Sequence, residues 1–278
     1  MEWLTDNKIP VGKWAKYCVD WLTDNADWFF DGVAYFLEAG ISAILYVLQT
    51  PYPLVIVTLV GALAWYLRRS FGFTLFTVIG LLFIINQGYW EETTETLALV
   101  LAATFVCMAT GIPIGIAAAR RPWLFTALRP VLDLMQTIPT FVYLIPALVL
   151  FGLGMVPGLI ATVIFALPAS IRLTHLGISS TPSQLLEAGH AFGATPRQVL
   201  WKIEIPYAMP QIRAGLTQTI MLSLSMVVIA ALVGADGLGV PTLRALNQVN
   251  IAKGFEVGLA IVMIAIILDR LIRKDGGE

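Results

Sequence analysis

The chain is expected to be an all-α, polytopic membrane protein. Of its 278 residues 58% are hydrophobic and 13% charged, where a soluble domain carries about 25% charged residues. Apolar runs close to the roughly twenty residues that cross the hydrocarbon core recur along it. Lys and Arg collect at alternate ends of those runs, the asymmetry that orients membrane helices. The net charge of −1 provides no basic field and excludes a nucleic-acid-binding role. Cys18 and Cys107 lie far apart, the second inside an apolar run, so neither a disulfide framework nor metal-ligand spacing is expected.

Residues 1–50 form an N-terminal segment of a different material. Trp14, Trp21, Trp28 and Tyr35 recur every seven residues, with Asp20, Asp24, Asp27 and Asp31 between them. That pattern suits an amphipathic helix lying at the outer membrane–water boundary. The alternative is an aromatic stripe packed against other helices. Residues 33–50 are nearly long enough to span, but Glu38 makes central burial costly. Spanning there would raise the count to eight and put the N-terminus inside. Residues 3–7 recur as 21–25 (Trp-Leu-Thr-Asp-Asn), too short a match for a structural repeat. No cleavable signal is expected, because residues 1–32 lack an apolar core.

A transmembrane domain is expected over 51–272, with about seven spans at 51–67, 71–86, 96–119, 137–151, 156–171, 215–234 and 256–272. The fourth and fifth are parted by Gly152, Gly154, Pro157 and Gly158, which suit a tight turn. With the segment around Glu187 in the cytoplasm, the inner connections carry twelve Lys and Arg and the outer ones five. This orientation leaves the N-terminus outside and a short tail, 273–278, in the cytoplasm.

Between the fifth and sixth spans a loop, 172–214, carries two sets of helix punctuation. Thr181-Pro182-Ser183-Gln184 offers an N-cap, a proline at N1 and a glutamine at N3. A helix from Pro182 to Phe192 would stop at Gly193. Thr195-Pro196-Arg197-Gln198 repeats the device, and Pro206 is expected to end the second helix. Leu185, Ala188, Gly189 and Phe192 share one face of the first helix. Small Ala188 and Gly189 would admit another surface, and Glu187 adds a charge. Val199, Leu200 and Ile203 make an apolar face on the second. A hairpin that caps the chain's own spans is the plainer alternative.

Elsewhere, Gly111 and Gly115 flank Pro113 with the spacing that lets helices pack closely, more simply within one subunit than across a dimer seam. Pro139, Pro146 and Pro168 interrupt helical bonding, which is tolerated where backbone is buried or lines a cavity. Gln136, Thr137 and Thr140 beside Pro139 are therefore candidate pathway residues. Ala235-Asp236-Gly237-Leu238-Gly239 is either an external gate-like loop or an ordinary glycine turn. No GxxxxGK[ST], HExxH, GxSxG or CxxC occurs, and His175 and His190 stand alone. No catalytic residue, metal ligand or cofactor of its own is expected.

Glu187-Ala188-Gly189, then Gly193, Ile203 and Ile205-Pro206, resemble the EAA signature of permease subunits of ATP-driven (ABC) importers. Gly189 replaces its second alanine and Ile205 its leucine. Residues 132–139, Phe165–Pro168, Ile171–Thr174, Leu222–Ile229 and Ile266–Arg270 resemble the glycine betaine, proline betaine and choline branch, and residues 1–50 its extracellular leader. The resemblance covers roughly 90–272. It implies a type I importer permease fold in the cell inner membrane. It implies coupling to ATPases through Glu187, Ala188, Gly189, Gly193, Ile203 and Pro206. The implied assembly is a permease homodimer with two ATP-binding subunits, which hold the ATP and Mg, and an external substrate-binding protein. Within the importer reading, another small amine or an amino acid is the alternative substrate; an ion-driven secondary transporter is the more distant rival, disfavoured by the few ionisable groups inside the spans. A membrane enzyme is disfavoured by the missing catalytic constellation.

Overall fold

The computed structural model describes residues 10–272. The first copy of the short Trp-Leu-Thr-Asp-Asn match, at 3–7, and the expected tail at 273–278 lie outside the described residues. Every regular element among the described residues is helical.

Helix α1 covers Val11–Gln49, with one departure from helical dihedrals at Ala26 (φ −127°, ψ 16°). Trp14, Trp21, Trp28 and Tyr35 are all exposed, so the stripe does not pack against the chain's own helices. Further along, Ile41 is buried with Leu37, Ile44 and Leu45 against Ala98, Ala102, Ala103 and Leu159. Gln49 donates a hydrogen bond to Thr94 at 2.8 Å, and Phe30 meets Phe151 edge-on at 5.5 Å. Both contacts lie at one end of the bundle, where Leu238 N–H donates to Thr96 and Gly154 N–H to the Val233 carbonyl. α1 has the length and apolarity of a span, and its second half lies along α4, with Gln49 beside Thr94 and Ile41 in one cluster with Ala98 and Ala102. The expected interfacial segment and the 33–50 stretch are one helix.

α2 (Pro53–Arg68) and α3 (Phe71–Asn86) form an apolar hairpin. At sixteen residues each they are about 24 Å long. α4 (Trp90–Arg120), α7 (Met155–Ser179), the continuous run 196–233 and the last helix, α12 (Ile251–Ile272), are long and apolar enough to cross a membrane. α5 (Pro122–Thr137) and α6 (Thr140–Phe151) join at 95°, the geometry of a broken span or a re-entrant loop. The bend follows from Pro139, which lacks an N–H and drives Ile138 into extended backbone (ψ 130°). Each expected apolar segment is thus helical. The fourth is the second arm of a bent pair, whose first arm is a helix, α5, where a connection is expected.

Helix α10 (Ile205–Ala230), within the continuous run, packs with α4 and α7 to form the centre. A Cβ on Gly111 would lie 1.9 Å from Ser170 Oγ, and one on Gly115 2.7 Å from Thr174 Cβ. The two glycines therefore seat α4 on α7 within the chain, as small-residue spacing allows. Ser170 Oγ donates to the Cys107 carbonyl across that seam at 3.0 Å. Val57, Leu81, Ile84, Val100, Ile220 and Ile264 close an apolar core between α2, α3, α4, α10 and α12. α11 (Gly239–Asn247) leads into α12.

Candidate functional site

The loop between α7 and α10 folds as a hairpin of short helices. α8 spans Ser183–Ala191. Its start corrects the expected cap: Pro182 itself is the N-cap, with ψ 136°, and Thr181 Oγ1 is buried without a hydrogen bond. The stop is as expected. Gly193 takes φ +74°, its N–H donates to His190 and the Ala194 N–H to Gly189. This paired pattern satisfies the last carbonyls of the helix and requires a residue that tolerates left-handed backbone.

α9 (Pro196–Val199) begins with a full capping box between Thr195 and Gln198. It does not end at Pro206. A π turn, Leu200–Glu204, follows, in which Ile205 N–H reaches the Leu200 carbonyl, and the chain runs straight into α10. The wider turn explains why Pro206 is no stop. An extra residue per turn shifts the ladder past the place where its missing N–H and bulky ring would clash. The outcome is one rod, residues 196–233, that begins in the short-helix hairpin and ends at the far side of the bundle.

The six signature positions come together here. Glu187, Ala188, Gly193 and Pro206 are exposed. Gly189 is buried, because Ile203 and Val199 cover it; a Cβ there would stand 2.6 Å from Ile203 Cδ1. The close approach expected of Gly189 is thus made by the chain's own second helix, and the interlock of Gly189 with Ile203 closes the hairpin. The outer surface remains apolar: Phe192 is 91% exposed, and Leu185 and Trp201 are exposed beside it. Large exposed apolar groups around a carboxylate mark a surface for a partner.

The sequence reading missed a link to α4. Arg120, its last residue, donates Nε–H and Nη2–H to Glu204 Oε2, at 3.2 and 2.6 Å, and Nη2–H to the Pro196 carbonyl at 3.0 Å. These groups are separated by 84 residues in sequence, so no local spacing reveals them.

Gln136, Thr137 and Thr140 flank the α5–α6 bend. Gln136 Oε1 accepts from Arg172, which also pairs with Asp133 at 2.6 Å. Thr137 bonds to the Asp133 carbonyl of its own helix. His175, isolated in sequence, stacks on Phe125 with ring centres 3.6 Å apart, a second tie from α7 to α5. At the other end of the bundle, the 235–239 loop is anchored on α4: Gly237 (φ +123°) packs against Thr96, which accepts from Leu238 N–H.

Comparison with known proteins places this arrangement. A family model described as "Binding-protein-dependent transport system inner membrane component" matches residues 111–273. The chain is 46% identical to the glycine betaine transport system permease protein OpuAB of Bacillus subtilis, over 96% of this chain and 94% of that one. It is 44% identical to the glycine betaine/carnitine transport permease protein GbuB of Listeria monocytogenes, over 95% and 94%. It is 42% identical to the glycine betaine/proline betaine transport system permease protein ProW of Escherichia coli, over 97% and 76%. Among solved structures, an inward-facing MetNI methionine ABC transporter chain superposes with a TM-score of 0.58 at 25% identity, covering 64% of this chain and 92% of that one.

Proposed function

The chain belongs to the family of inner-membrane components of binding-protein-dependent transport systems, and from that premise we propose that it is the membrane-spanning subunit through which an ATP-driven importer takes up quaternary amines such as glycine betaine, proline betaine or choline. The observation that carries the coupling half of this reading is the exposed hairpin at Glu187–Pro206, continuous with α10. A surface of that kind, outside the spans and built into one of them, receives force from a soluble partner. The substrate half rests on relatives at 42–46% identity whose names specify betaines.

In this reading two copies of the chain flank the path, and each hairpin sits on one of two ATP-binding subunits, which supply ATP, Mg and hydrolysis. Residues 172–214 are the coupling loop, with Glu187, Ala188, Gly189, Gly193, Ile203 and Pro206 as its working positions. The end of the bundle carrying Gln49, Phe151 and the 235–239 loop faces outward, where a binding protein delivers the amine. A quaternary ammonium is gripped by aromatic faces, and that cage is assigned to the binding protein. Gln136, Thr137 and Thr140, around the α5–α6 bend, line the path.

Vesicles holding the permease, its ATPase and its binding protein test the proposal. ATP-dependent uptake of at least one of the three amines is expected. Glu187→Lys should cut that uptake at least about tenfold, since a like-charge contact costs several kcal/mol at an interface. Uptake of an amino acid alone, or uptake that survives ATP depletion on an ion gradient, would overturn the assignment.

A further inference from the structure

The structure assigns Arg120 and Glu204 a role in coupling: they form a latch that makes α4 move with the docking hairpin and α10. This inference rests on the importer reading above and adds a second route for force. The signature residues lead from the hairpin into α10 alone, by way of the π turn. The latch adds α4, whose final residue grips the hairpin at two separate places, the Pro196 carbonyl at the first residue of α9 and the Glu204 carboxylate at the end of the π turn.

Three features make this more than an incidental surface pair. Glu204 is largely shielded, with its side chain 12% exposed, and Arg120 is 33% exposed, so the pair is less screened than an ordinary surface ion pair. The guanidinium commits three N–H contacts, two to one carboxylate oxygen and one to a backbone carbonyl; charge-assisted bonds of this kind also fix orientation. The grip straddles the π turn, where the backbone is most easily rewound. With the latch closed, α9 and the π turn cannot pivot on the 205–206 junction without dragging the end of α4. Because α4 is itself seated on α7 through Gly111 and Gly115, a push on the hairpin reaches the packed centre from both sides. With the latch open, the hairpin would follow its ATPase while the spans lag.

The test uses the full complex of permease, ATPase and binding protein in vesicles. It compares amine imported per ATP hydrolysed for wild type, Arg120→Glu, Glu204→Arg and the double swap. Each single variant is expected to lower that ratio at least about fivefold, the lower range of coupling energies, while ATP is still hydrolysed. The double swap should recover most of it, since it rebuilds the pair with its charges exchanged. Single variants with the wild-type ratio overturn the latch, and so does a double swap as poor as the singles. Should a single variant fail to assemble with the ATPase, the milder Arg120→Lys and Glu204→Gln decide the matter in the same assay. A wild type that hydrolyses ATP but imports none of the amines overturns the substrate reading alone. In that case the latch is read from the ATP-dependent labelling of Thr137→Cys, which the single variants should abolish and the double swap restore; labelling that the single variants leave unchanged overturns it.

Discussion

At Gly189 a single missing methyl group sets the shape of the docking hairpin. The side chain of Ile203 lies where a Cβ would be, and Val199 backs it. The atom in the way is the end of a flexible chain, so alanine fits with a small shift, consistent with the alanine that the signature carries at this position. Gly189→Ala is expected to cost less than about 1 kcal/mol and to keep ATP-coupled uptake. Gly189→Leu overpacks the seam by about 1–3 kcal/mol, prises the two helices apart and should abolish coupling. Melting temperature of the purified permease together with vesicle uptake checks both. Phe192 shows the opposite logic. It is 91% exposed on the hairpin rather than on a candidate span, a cost that a covering partner would offset. These residues were legible because their information is local. The small pair Ala188-Gly189 and the stop at Gly193 both lie within two turns of one helix. Arg120 was legible only as a positive charge, since its partner Glu204 is distant in sequence and no periodicity connects them.

Among the elements, the hairpin's capping signals were read half correctly. Thr195 and Gln198 form the expected box, but Thr181 and Gln184 do not, because Pro182 takes the N-cap place and turns Thr181 into a buried position. Pro206 reads as a helix breaker, yet the π turn before it absorbs the defect. That turn is a device with a testable register. Deleting Lys202, an exposed residue within it, would restore an ordinary turn and rotate the hairpin by about 100° against α10. Uptake should be lost while the subunit still inserts and purifies; Lys202→Ala should behave as wild type in the same vesicle assay. The α5–α6 bend has the same origin in backbone chemistry. Pro139 signals a break, but its 95° angle is held by contacts from α7, namely Arg172 with Asp133 and Gln136, and His175 on Phe125.

Over the whole molecule, α1 decides the topology. Spanning by residues 33–50 would put the N-terminus inside. Contacts of Phe30 with Phe151, of Ile41 with Ala98 and Ala102, and of Gln49 with Thr94 fasten that stretch to α6 and α4, while the Trp and Tyr stripe stays exposed, as a membrane boundary requires. With the N-terminus outside, as the Lys and Arg bias implies, a reporter enzyme active only outside the cytoplasm, fused after residue 30, is expected to be active; an inactive fusion matched by a cytoplasmically active one would reverse the orientation. Read alone, the sequence identifies a helical membrane protein, locates its apolar helices, and marks the hairpin at Glu187–Pro206 as a candidate docking surface. Hydrophobic length, capping residues and charge bias are properties of neighbouring residues, readable without the fold. The fold had to bring together α1 with α4 and α6, α4 with α7 within one chain, and Arg120 of α4 with the hairpin. Those facts depend on which distant surfaces fit each other, and complementarity of shape and charge across 45 to 84 residues of chain leaves no periodic trace in either partner.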